Sequence, residues 1–289
     1  MQSDNTTSRV KFAPAPVQVV AVTGGKGGVG KSTIAINLAA GYAALGRRTL
    51  LLDGDLGLAN VDVLLGLTPR YTLAHVLSGE RSLQEILLDA PQGFQIVPGA
   101  SGVARLANLT QQEHLGLVRA FSSIAPRLDV LVVDTPAGIS PAVLQLAQAA
   151  QTVLLVVCDE PASLTDAYAL AKVLSRQHGV KRFRVLANMV RDSVAGRRLF
   201  NTLERVTARF LDVTLEYAGD VPDDPWVRRS VREQRPVVDA YPSSPASRAL
   251  KELALRADSW PVPAGPRGNI EFFAERLVHK PAARLELVR

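Results

Sequence analysis

The segment Gly25–Thr33, Gly-Lys-Gly-Gly-Val-Gly-Lys-Ser-Thr, has the residue types and the spacing of a phosphate-binding loop. It satisfies the pattern G-x-x-x-x-G-K-[ST], whose glycines let consecutive backbone N–H groups turn toward one anion. Lys31 would then reach the β- and γ-phosphates, and the Ser32 hydroxyl would bind Mg²⁺. The pattern predicts that a nucleoside triphosphate is bound through Gly25, Lys26, Gly27, Gly28, Val29, Gly30, Lys31, Ser32 and Thr33.

The residues on either side of the loop provide the context that this pattern requires. The apolar run Val17–Val22 precedes it and predicts a buried strand. Ser32–Leu45 follows with Ile34, Leu38 and Tyr42 four residues apart, which predicts a helix. The positive end of that helix would add to the attraction for phosphate. A glycine-rich turn without a ligand is the alternative, but four glycines and two lysines are costly to place there without an anion.

Aspartates end two further apolar runs and could act on a phosphate at the loop. Asp53 and Asp55 follow the run Thr49–Leu52, and Asp134 follows Val130–Val133. Ligands of open α/β sheets lie beside such strand ends, where a carboxylate can hold the Mg²⁺ shell or orient an attacking water. Turn formation is the alternative for the first two. The third is typical of a Walker B aspartate, which binds Mg²⁺ through water.

Seven short apolar runs alternate with helical patterns along the chain. Continuously apolar runs are typical of strands buried on both faces of a parallel sheet. We therefore predict an α/β fold, a doubly wound and mostly parallel sheet with helices on both faces. The predicted strands are Val17–Val22, Thr49–Leu52, Phe94–Val97, Val130–Val133, Val153–Val157, Phe183–Ala187 and Val213–Tyr217. The predicted helices after the first are Gln111–Ser123, Pro141–Ala150, Leu164–His178, Val194–Phe210 and Pro225–Gln234.

Changes in composition predict the domain boundaries. Residues 1–16 are largely polar and end in Ala-Pro-Ala-Pro, which predicts a flexible N-terminal segment. One core domain is predicted for residues 17–260, followed by a Pro- and Gly-rich linker at 261–268. Residues 269–289 are predicted to form a C-terminal amphipathic helix and tail, because the apolar residues of Ile270–Val278 share one helical face.

The composition of the 289 residues is that of a globular protein, 47% hydrophobic and 21% charged. The net charge of +6 could indicate nucleic acid or anionic membrane as a partner, or only a mixed, solvated surface. The chain shows neither a signal peptide nor an apolar run near the roughly 20 residues that span a bilayer, so we expect a cytoplasmic protein. A single cysteine, Cys158, suits a reducing compartment and argues against iron–sulfur-cluster relatives.

Lys26 follows the first glycine of the loop and is surplus to the usual phosphate contacts. With it, the loop resembles that of the deviant Walker ATPases of the MinD/ParA class. The resemblance implies an ATP-dependent homodimer in which Lys26 crosses to the partner's ATP; a solvated loop-tip lysine is the alternative. It also implies that Asp55 positions the attacking water and that Asp53 lies beside the Mg²⁺ shell. The residues implied to act in hydrolysis are Lys26, Lys31 and Asp55, and those implied to surround Mg²⁺ are Ser32, Asp53 and Asp134.

Two later segments resemble the parts of this class that bind the base. Asn188, in Leu-Ala-Asn-Met-Val, matches an asparagine that bonds the adenine edge, which would favour ATP over GTP. Val221–Asp224, Val-Pro-Asp-Asp, resembles the loop that closes on the base, with Pro222 and Asp223 as the expected contacts. Because such residues are common in loops, a chance match is the alternative for both segments.

Three later segments are similar to one branch of the class, the flagellar number regulators called FlhG or FleN, and the likeness runs from about Val17 to Val278. The segments are Val157–Leu170, Leu186–Arg191 and Gly268–Leu277. The resemblance implies an ATPase that limits how many flagella are assembled. Its ATP-bound dimer would restrain the flagellar transcription activator FleQ and would act opposite the polar GTPase FlhF. Residues 1–16 lack the Gln-Ala and Leu-Arg motif with which some relatives stimulate that GTPase, so we do not expect this stimulation here.

Three alternatives stay open. The C-terminal helix fits reversible membrane docking, with two anchors in a dimer, but Phe272 and Phe273 could equally pack on the protein's own core. Arg228, Arg232 and Arg235 share a helical face that a ParA-type DNA-partition ATPase could use, although a solvated or partner-binding face is expected and DNA binding is not. A MinD-type division-site regulator is the third alternative.

Overall fold

The computed structural model describes residues 16–55, 59–99, 110–262 and 272–273, and eight strands in these ranges form one sheet. They are β1 (Gln18–Thr23), β2 (Thr49–Asp53), β3 (Leu88–Asp89), β4 (Gln95–Val97), β5 (Val130–Asp134), β6 (Thr152–Val157), β7 (Arg182–Val190) and β8 (Thr214–Pro222). Their order across the sheet is β3-β4-β2-β5-β1-β6-β7-β8. Only β3 pairs antiparallel among these eight strands. The predicted doubly wound, mostly parallel sheet is confirmed.

Ten α-helices and two short 3₁₀ turns lie in the described ranges. The helices are α1 (Lys31–Ala44), α2 (Val61–Leu64), α3 (Leu73–Leu77), α4 (Gln111–Ser122), α5 (Pro141–Ala149), α6 (Pro161–His178), α7 (Ser193–Phe210), α8 (Pro225–Arg232), α9 (Val237–Ala240) and α10 (Pro245–Asp258). The 3₁₀ turns are Leu83–Ile86 and Ala125–Arg127. All six helices predicted within the core domain are present. None of the described helices combines the length and the apolar character needed to cross a bilayer.

Different helices cover the two faces of the sheet, because successive side chains of a strand point to opposite sides. In β1, Val20 and Val22 pack in the cluster that contains α1 and α10. Val19 and Ala21 pack in the cluster that contains Phe121 of α4. A third cluster lies beneath α6 and α7. With both faces covered, the edge formed by the carboxyl ends of the strands is left for a ligand.

Helix α10 is absent from the predicted helices, although its sequence carries a helical pattern. Ala246, Leu250, Leu253 and Ala257 are buried at i, i+4, i+7 and i+11, on the face that packs in the α1 cluster. The Ser244 hydroxyl caps the helix by accepting a hydrogen bond from the backbone N–H of Ser247 at 3.1 Å. This cap and this spacing are local signals that suffice to predict a helix.

Two phenylalanines of the predicted C-terminal helix lie within the described residues, and both are buried. Phe272 and Phe273 are each 1% exposed, with ring centroids 5.1 and 6.4 Å from that of Phe121. The backbone N–H of Phe272 donates to the Ala149 carbonyl at 3.2 Å, and Phe273 has a φ of 57° within a turn. For this pair, packing on the core is the alternative that the structure supports. The rest of the predicted C-terminal helix and tail, and residues 1–15, lie outside the described ranges.

Candidate active site

The carboxyl ends of four parallel strands bring the predicted site residues to one edge of the sheet. β1 leads into the glycine loop, β2 ends at Asp53, β5 ends at Asp134, and Asn188 lies near the end of β7. Asp53 and Asp134 are in register on neighbouring strands, and Val22 of β1 is in register with Asp134 on its other side. The residues predicted to contact phosphate and Mg²⁺ therefore meet at one place.

The glycine loop enters α1 in a backbone conformation that favours glycine. Gly28 and Gly30 have φ of 81° and 89°, in the left-handed region. Gly30 stands at the N-cap of α1 and has no side chain to bond the first N–H groups of the helix. These groups can therefore bind phosphate oxygens. Lys31 is buried and donates from Nζ to the Lys26 carbonyl oxygen at 3.2 Å, which curls the loop around its ammonium group.

Two glycines of the loop give a matched pair of substitutions. A Cβ on Gly25 would lie 2.2 Å from the backbone carbonyl oxygen of Asp166 in α6, whereas a Cβ on Gly27 would meet no described atom within 4 Å. Because the helix backbone cannot yield easily, we expect Gly25→Ala to lower the free energy of unfolding by about 1–3 kcal/mol. Gly27→Ala is expected to change it by less than about 0.5 kcal/mol. Chemical denaturation of the nucleotide-free protein measures both, and equal effects would show that the loop does not pack against α6.

Asp134 is a buried carboxylate with one unpaired oxygen. The residue is 2% exposed and accepts a hydrogen bond from the Ser32 hydroxyl, but its Oδ1 has no partner among the described residues. Burial raises the pKa of Asp134 to about 7, although the bond from Ser32 opposes the shift. A buried, unpaired carboxylate oxygen is unfavourable. This oxygen and the Ser32 hydroxyl therefore fit Mg²⁺, which prefers oxygen ligands.

The described residues fit a Mg²⁺ ion that is held together with phosphate. No group of three or more acidic, histidine or cysteine side chains among them could hold a metal alone. Mg²⁺ is commonly bound by one or two carboxylates plus substrate phosphates, as Ser32 and Asp134 beside the loop would allow. When bound, it would neutralise charge on the transferred phosphoryl group. Lys31 adds a positive charge; burial lowers its pKa, and the carboxylates of Asp134 and Asp55 oppose that shift.

The carboxylate of Asp53 is buried and accepts hydrogen bonds from three backbone N–H groups. Its Oδ1 accepts from Asp55 at 3.1 Å, and its Oδ2 accepts from Asn60 and Val61 at 2.9 and 3.0 Å. Burial raises the pKa of Asp53 to about 6, and these three bonds oppose the shift. Asp53 thus holds both ends of the loop between β2 and α2. Its place beside the Mg²⁺ shell, and the water-positioning role of Asp55, stay predictions.

The loop after β5 is bonded to β1 and to Gly24, the residue that joins β1 to the glycine loop. The backbone N–H groups of Thr135 and Gly138 donate to the carbonyls of Val22 and Gly24 at 3.1 and 3.3 Å. The Thr135 hydroxyl also donates to the Thr23 hydroxyl at 2.9 Å. A change in the glycine loop would therefore reach this loop directly, which suits a loop that senses the γ-phosphate.

Lys26 forms an ion pair with Glu160, a residue without a predicted role. The Lys26 ammonium donates to the Glu160 carboxylate at the N-cap of α6, and the two side chains are 35% and 55% exposed. The bond to Glu160 raises the pKa of Lys26. Within one chain Lys26 is thus held by its own subunit, and its crossing to a partner's ATP stays a prediction. No local pattern signals the pair, because 134 positions separate its members.

A pocket beside the start of α1 brings together the residues predicted to bind the base. Asn188, Pro222 and Asp223 line it, and so does Met189, which has no predicted role. Asn188 donates from Nδ2 to the Val29 carbonyl at 2.8 Å. Its Oδ1 is therefore the atom that can accept a hydrogen bond from a base amino group. The arrangement is compatible with the predicted base contacts, which stay predictions.

The parallel sheet, the two-lysine glycine loop at its switch point and the buried Ser32–Asp134 pair define a phosphate-loop ATPase of the deviant Walker class. The chain belongs to the CobQ/CobB/MinD/ParA nucleotide binding domain family, whose model matches residues 20–237. The predicted MinD/ParA resemblance, the ATPase activity, and ATP and Mg²⁺ as ligands are confirmed by this membership and by the relatives below.

Similar proteins include an antiactivator, a flagellum site-determining protein and a solved MinD structure. The chain is 59% identical to the antiactivator FleN of Pseudomonas aeruginosa over 267 residues, 92% of this chain and 95% of FleN. It is 33% identical to the flagellum site-determining protein YlxH of Helicobacter pylori over 236 residues, 81% of this chain and 80% of YlxH. The septum site-determining protein MinD of Pyrococcus horikoshii, complexed with Mg-ADP, aligns at a TM-score of 0.71 and 26% identity, covering 84% of this chain and 96% of MinD. The predicted similarity to the FleN branch is confirmed.

Proposed function

We propose that this ATPase is a switch that limits flagellar number by restraining a flagellar transcription activator, with FleQ as the expected activator. The observation that carries the proposal is the 59% identity to the antiactivator FleN, which extends over 92% of this chain. The similarity to a flagellum site-determining protein supports a flagellar role. The proposal includes homodimerisation with ATP and action opposite the GTPase FlhF.

Bound ATP would act on two loops that the fold already connects to the site. Asp53 holds Asp55 and the start of α2 through backbone bonds. Thr135 and Gly138 join the second loop to β1 and to Gly24, at the start of the glycine loop. A γ-phosphate beside Lys31 would favour one arrangement of both loops, and its loss on hydrolysis would release that arrangement. The Asp55 carboxylate would orient the attacking water.

The arginines of α8 and the turn after it give little support to the DNA-partition alternative. Two arginines of the predicted face are paired: Arg228 with Asp223 at 3.0 Å, and Arg235 with Asp239 at 3.1 Å. Arg229, beside that face, pairs with Glu233 at 3.0 Å. Binding to the DNA backbone depends on cationic side chains that neutralise phosphates. Side chains that are already neutralised within the chain contribute less to such binding. We therefore favour restraint of a protein activator over coating of DNA.

Counting flagella tests the proposed function. A strain that lacks the gene is expected to assemble more flagella per cell, and the wild-type gene is expected to restore the count in electron micrographs. Asp55→Ala should retain ATP binding but lose turnover by about 100-fold or more, since the attacking water loses its positioning group. The variant would remain in the ATP-bound state that restrains the activator, so we expect fewer flagella than with the wild-type gene.

Asp212→Ala provides the matched control for this experiment. The Asp212 side chain is 95% exposed and pairs with Lys181, away from the strand ends that carry the site. It is expected to restore both the flagellar count and wild-type turnover. An unchanged count in the deletion strain would reject the proposed function, and defects in division placement or plasmid inheritance would favour the MinD-type or ParA-type alternatives. Retained hydrolysis in Asp55→Ala would contradict only the role of Asp55.

A further inference from the structure

Two consecutive residues of β7 line the base pocket, which a regular strand does not allow. Side chains alternate between the two faces of a strand, yet Asn188 and Met189 both border the pocket. Asn188 is in register with Val221, and Val190 is in register with Pro222, so Met189 is an extra residue relative to β8. A bulge of this kind re-aims a side chain and is common next to active sites.

The backbone of Met189 is strained, and the packing of its side chain offers little compensation. Its φ of 55° lies in the left-handed region, which methionine rarely adopts. The residue is 45% exposed, so burial of its side chain in the core does not offset the strain. Strained residues of this kind persist where the surrounding structure holds them, and they cluster at ligand sites.

The surroundings of Met189 favour contact with a base over contact with phosphate. Its Cε would lie 3.2 Å from a Cβ on Gly30, which places the side chain beside the last glycine of the loop. The apolar residues Val221, Pro222 and Val227 line the same pocket. A thioether carries no charge to hold phosphate, but its sulfur makes favourable contacts with aromatic rings.

We propose that Met189 is a positioning residue that packs its thioether against the nucleobase of bound ATP or ADP. The proposal rests on the nucleotide site described above and adds a contact to it. Asn188, fixed through Nδ2 to the Val29 carbonyl, presents Oδ1 to the edge of the base. Met189, turned by the bulge into the same pocket, contacts the base itself. The bulge is what allows neighbouring residues to make both contacts.

The Met189→Gly variant removes the proposed contact with the base and also relieves the backbone strain, so the two effects can be measured separately. Glycine adopts a φ of 55° freely, so the nucleotide-free variant is expected to unfold at the wild-type temperature or higher. Loss of the thioether is expected to weaken ADP binding about tenfold. Pyrophosphate, which has no base, should bind the variant and the wild type equally. Titration calorimetry with both ligands measures this difference, and thermal denaturation measures the stability.

Three further variants complete the experiment. Met189→Leu keeps an apolar side chain and should retain ADP affinity within about threefold. Val194→Ala truncates a residue that is 68% exposed and does not line the pocket, and it should bind both ligands as the wild type does. Met189→Asn is used if the glycine variant does not fold, because asparagine tolerates the left-handed region, and the same loss of ADP affinity is expected.

A selective loss of ADP affinity in Met189→Gly or Met189→Asn would support the proposal. Unchanged ADP affinity, or equal losses for ADP and pyrophosphate, would overturn it and leave the bulge as a way of ending the β7–β8 pairing. If the wild-type protein bound neither ligand, the nucleotide site itself would be wrong. The two failures are therefore distinguishable.

Discussion

Asp134→Asn is expected to make the nucleotide-free protein more stable at pH 8 and to lower ATP turnover by about 100-fold or more. Both effects have one cause. The fold buries the carboxylate almost completely and leaves its Oδ1 unpaired among the described residues. Asparagine removes the cost of burying a charge, so the free protein gains stability. It also removes the anionic oxygen that fits Mg²⁺ beside Ser32, so turnover falls.

The expected pH dependence follows from the direction of the pKa shift. The pKa of Asp134 is about 7 in the folded protein, against 3.8 for an ordinary aspartate, so the folded state binds this proton more tightly. The stabilisation is fully present below about pH 4 and is lost as the pH rises through 7. At pH 8 the difference is on the order of 2–4 kcal/mol, and the asparagine variant lacks it. Burial also raises the pKa of Asp53, to about 6, so the wild type and the variant both lose stability from this residue as the pH rises.

Thermal denaturation in EDTA between about pH 5.5 and pH 8.5 measures this difference. Across that interval the wild type is expected to lose more stability than Asp134→Asn. Asp212→Asn, which removes an exposed carboxylate, should follow the wild-type curve closely. An Asp134 variant less stable than the wild type at pH 8 would contradict the unpaired, destabilising carboxylate. A variant that kept its Mg²⁺-dependent turnover would show that Asp134 does not hold the cation.

The site residues that could be predicted from the sequence either lie in one segment or end parallel strands. The glycine loop is continuous, so its pattern alone indicates the roles of Lys31 and Ser32. Asp53 and Asp134 could be placed together because the carboxyl ends of parallel strands share an edge. Their different environments could not be predicted. Asp53 accepts hydrogen bonds from backbone N–H groups at the start of α2, and that short helix has no clear sequence pattern.

Contacts between distant segments were beyond prediction, because they depend on how the elements pack. The pairing of Lys26 with Glu160 requires α6 to begin beside the glycine loop. The strained φ of Met189 arises from the register between β7 and β8, and β7 continues to Val190 although its apolar run ends at Ala187. Pairing with a neighbouring strand here overrides local preference. The periodic pattern of α10, by contrast, is local and could have been found.

Lys26→Ala is expected to abolish the ATP-dependent dimer at concentrations where the wild type is dimeric, and Glu160→Gln is expected to strengthen that dimer. In the single chain the Lys26 ammonium is held by Glu160 of the same subunit. A lysine that crosses to a partner's ATP must first leave this carboxylate. Because the pair is partly exposed, its loss should increase dimer affinity only a few-fold. Loss of Lys26 removes the crossing contact itself and should have the larger effect.

Sedimentation with a hydrolysis-resistant ATP analogue distinguishes the two roles of Lys26, because the expected changes have opposite signs. If Lys26 acted only as the partner of Glu160, both substitutions would break the same pair and would shift the dimer in the same direction. If Lys26 crosses the interface, alanine at 26 weakens the dimer while glutamine at 160 strengthens it. Lys181→Ala is the control, since Lys181 pairs with Asp212 at 2.7 Å on an exposed surface away from the loop. A Lys26→Ala protein that dimerised as the wild type does would leave Lys26 within its own subunit, and the ATP-driven dimer would need another contact.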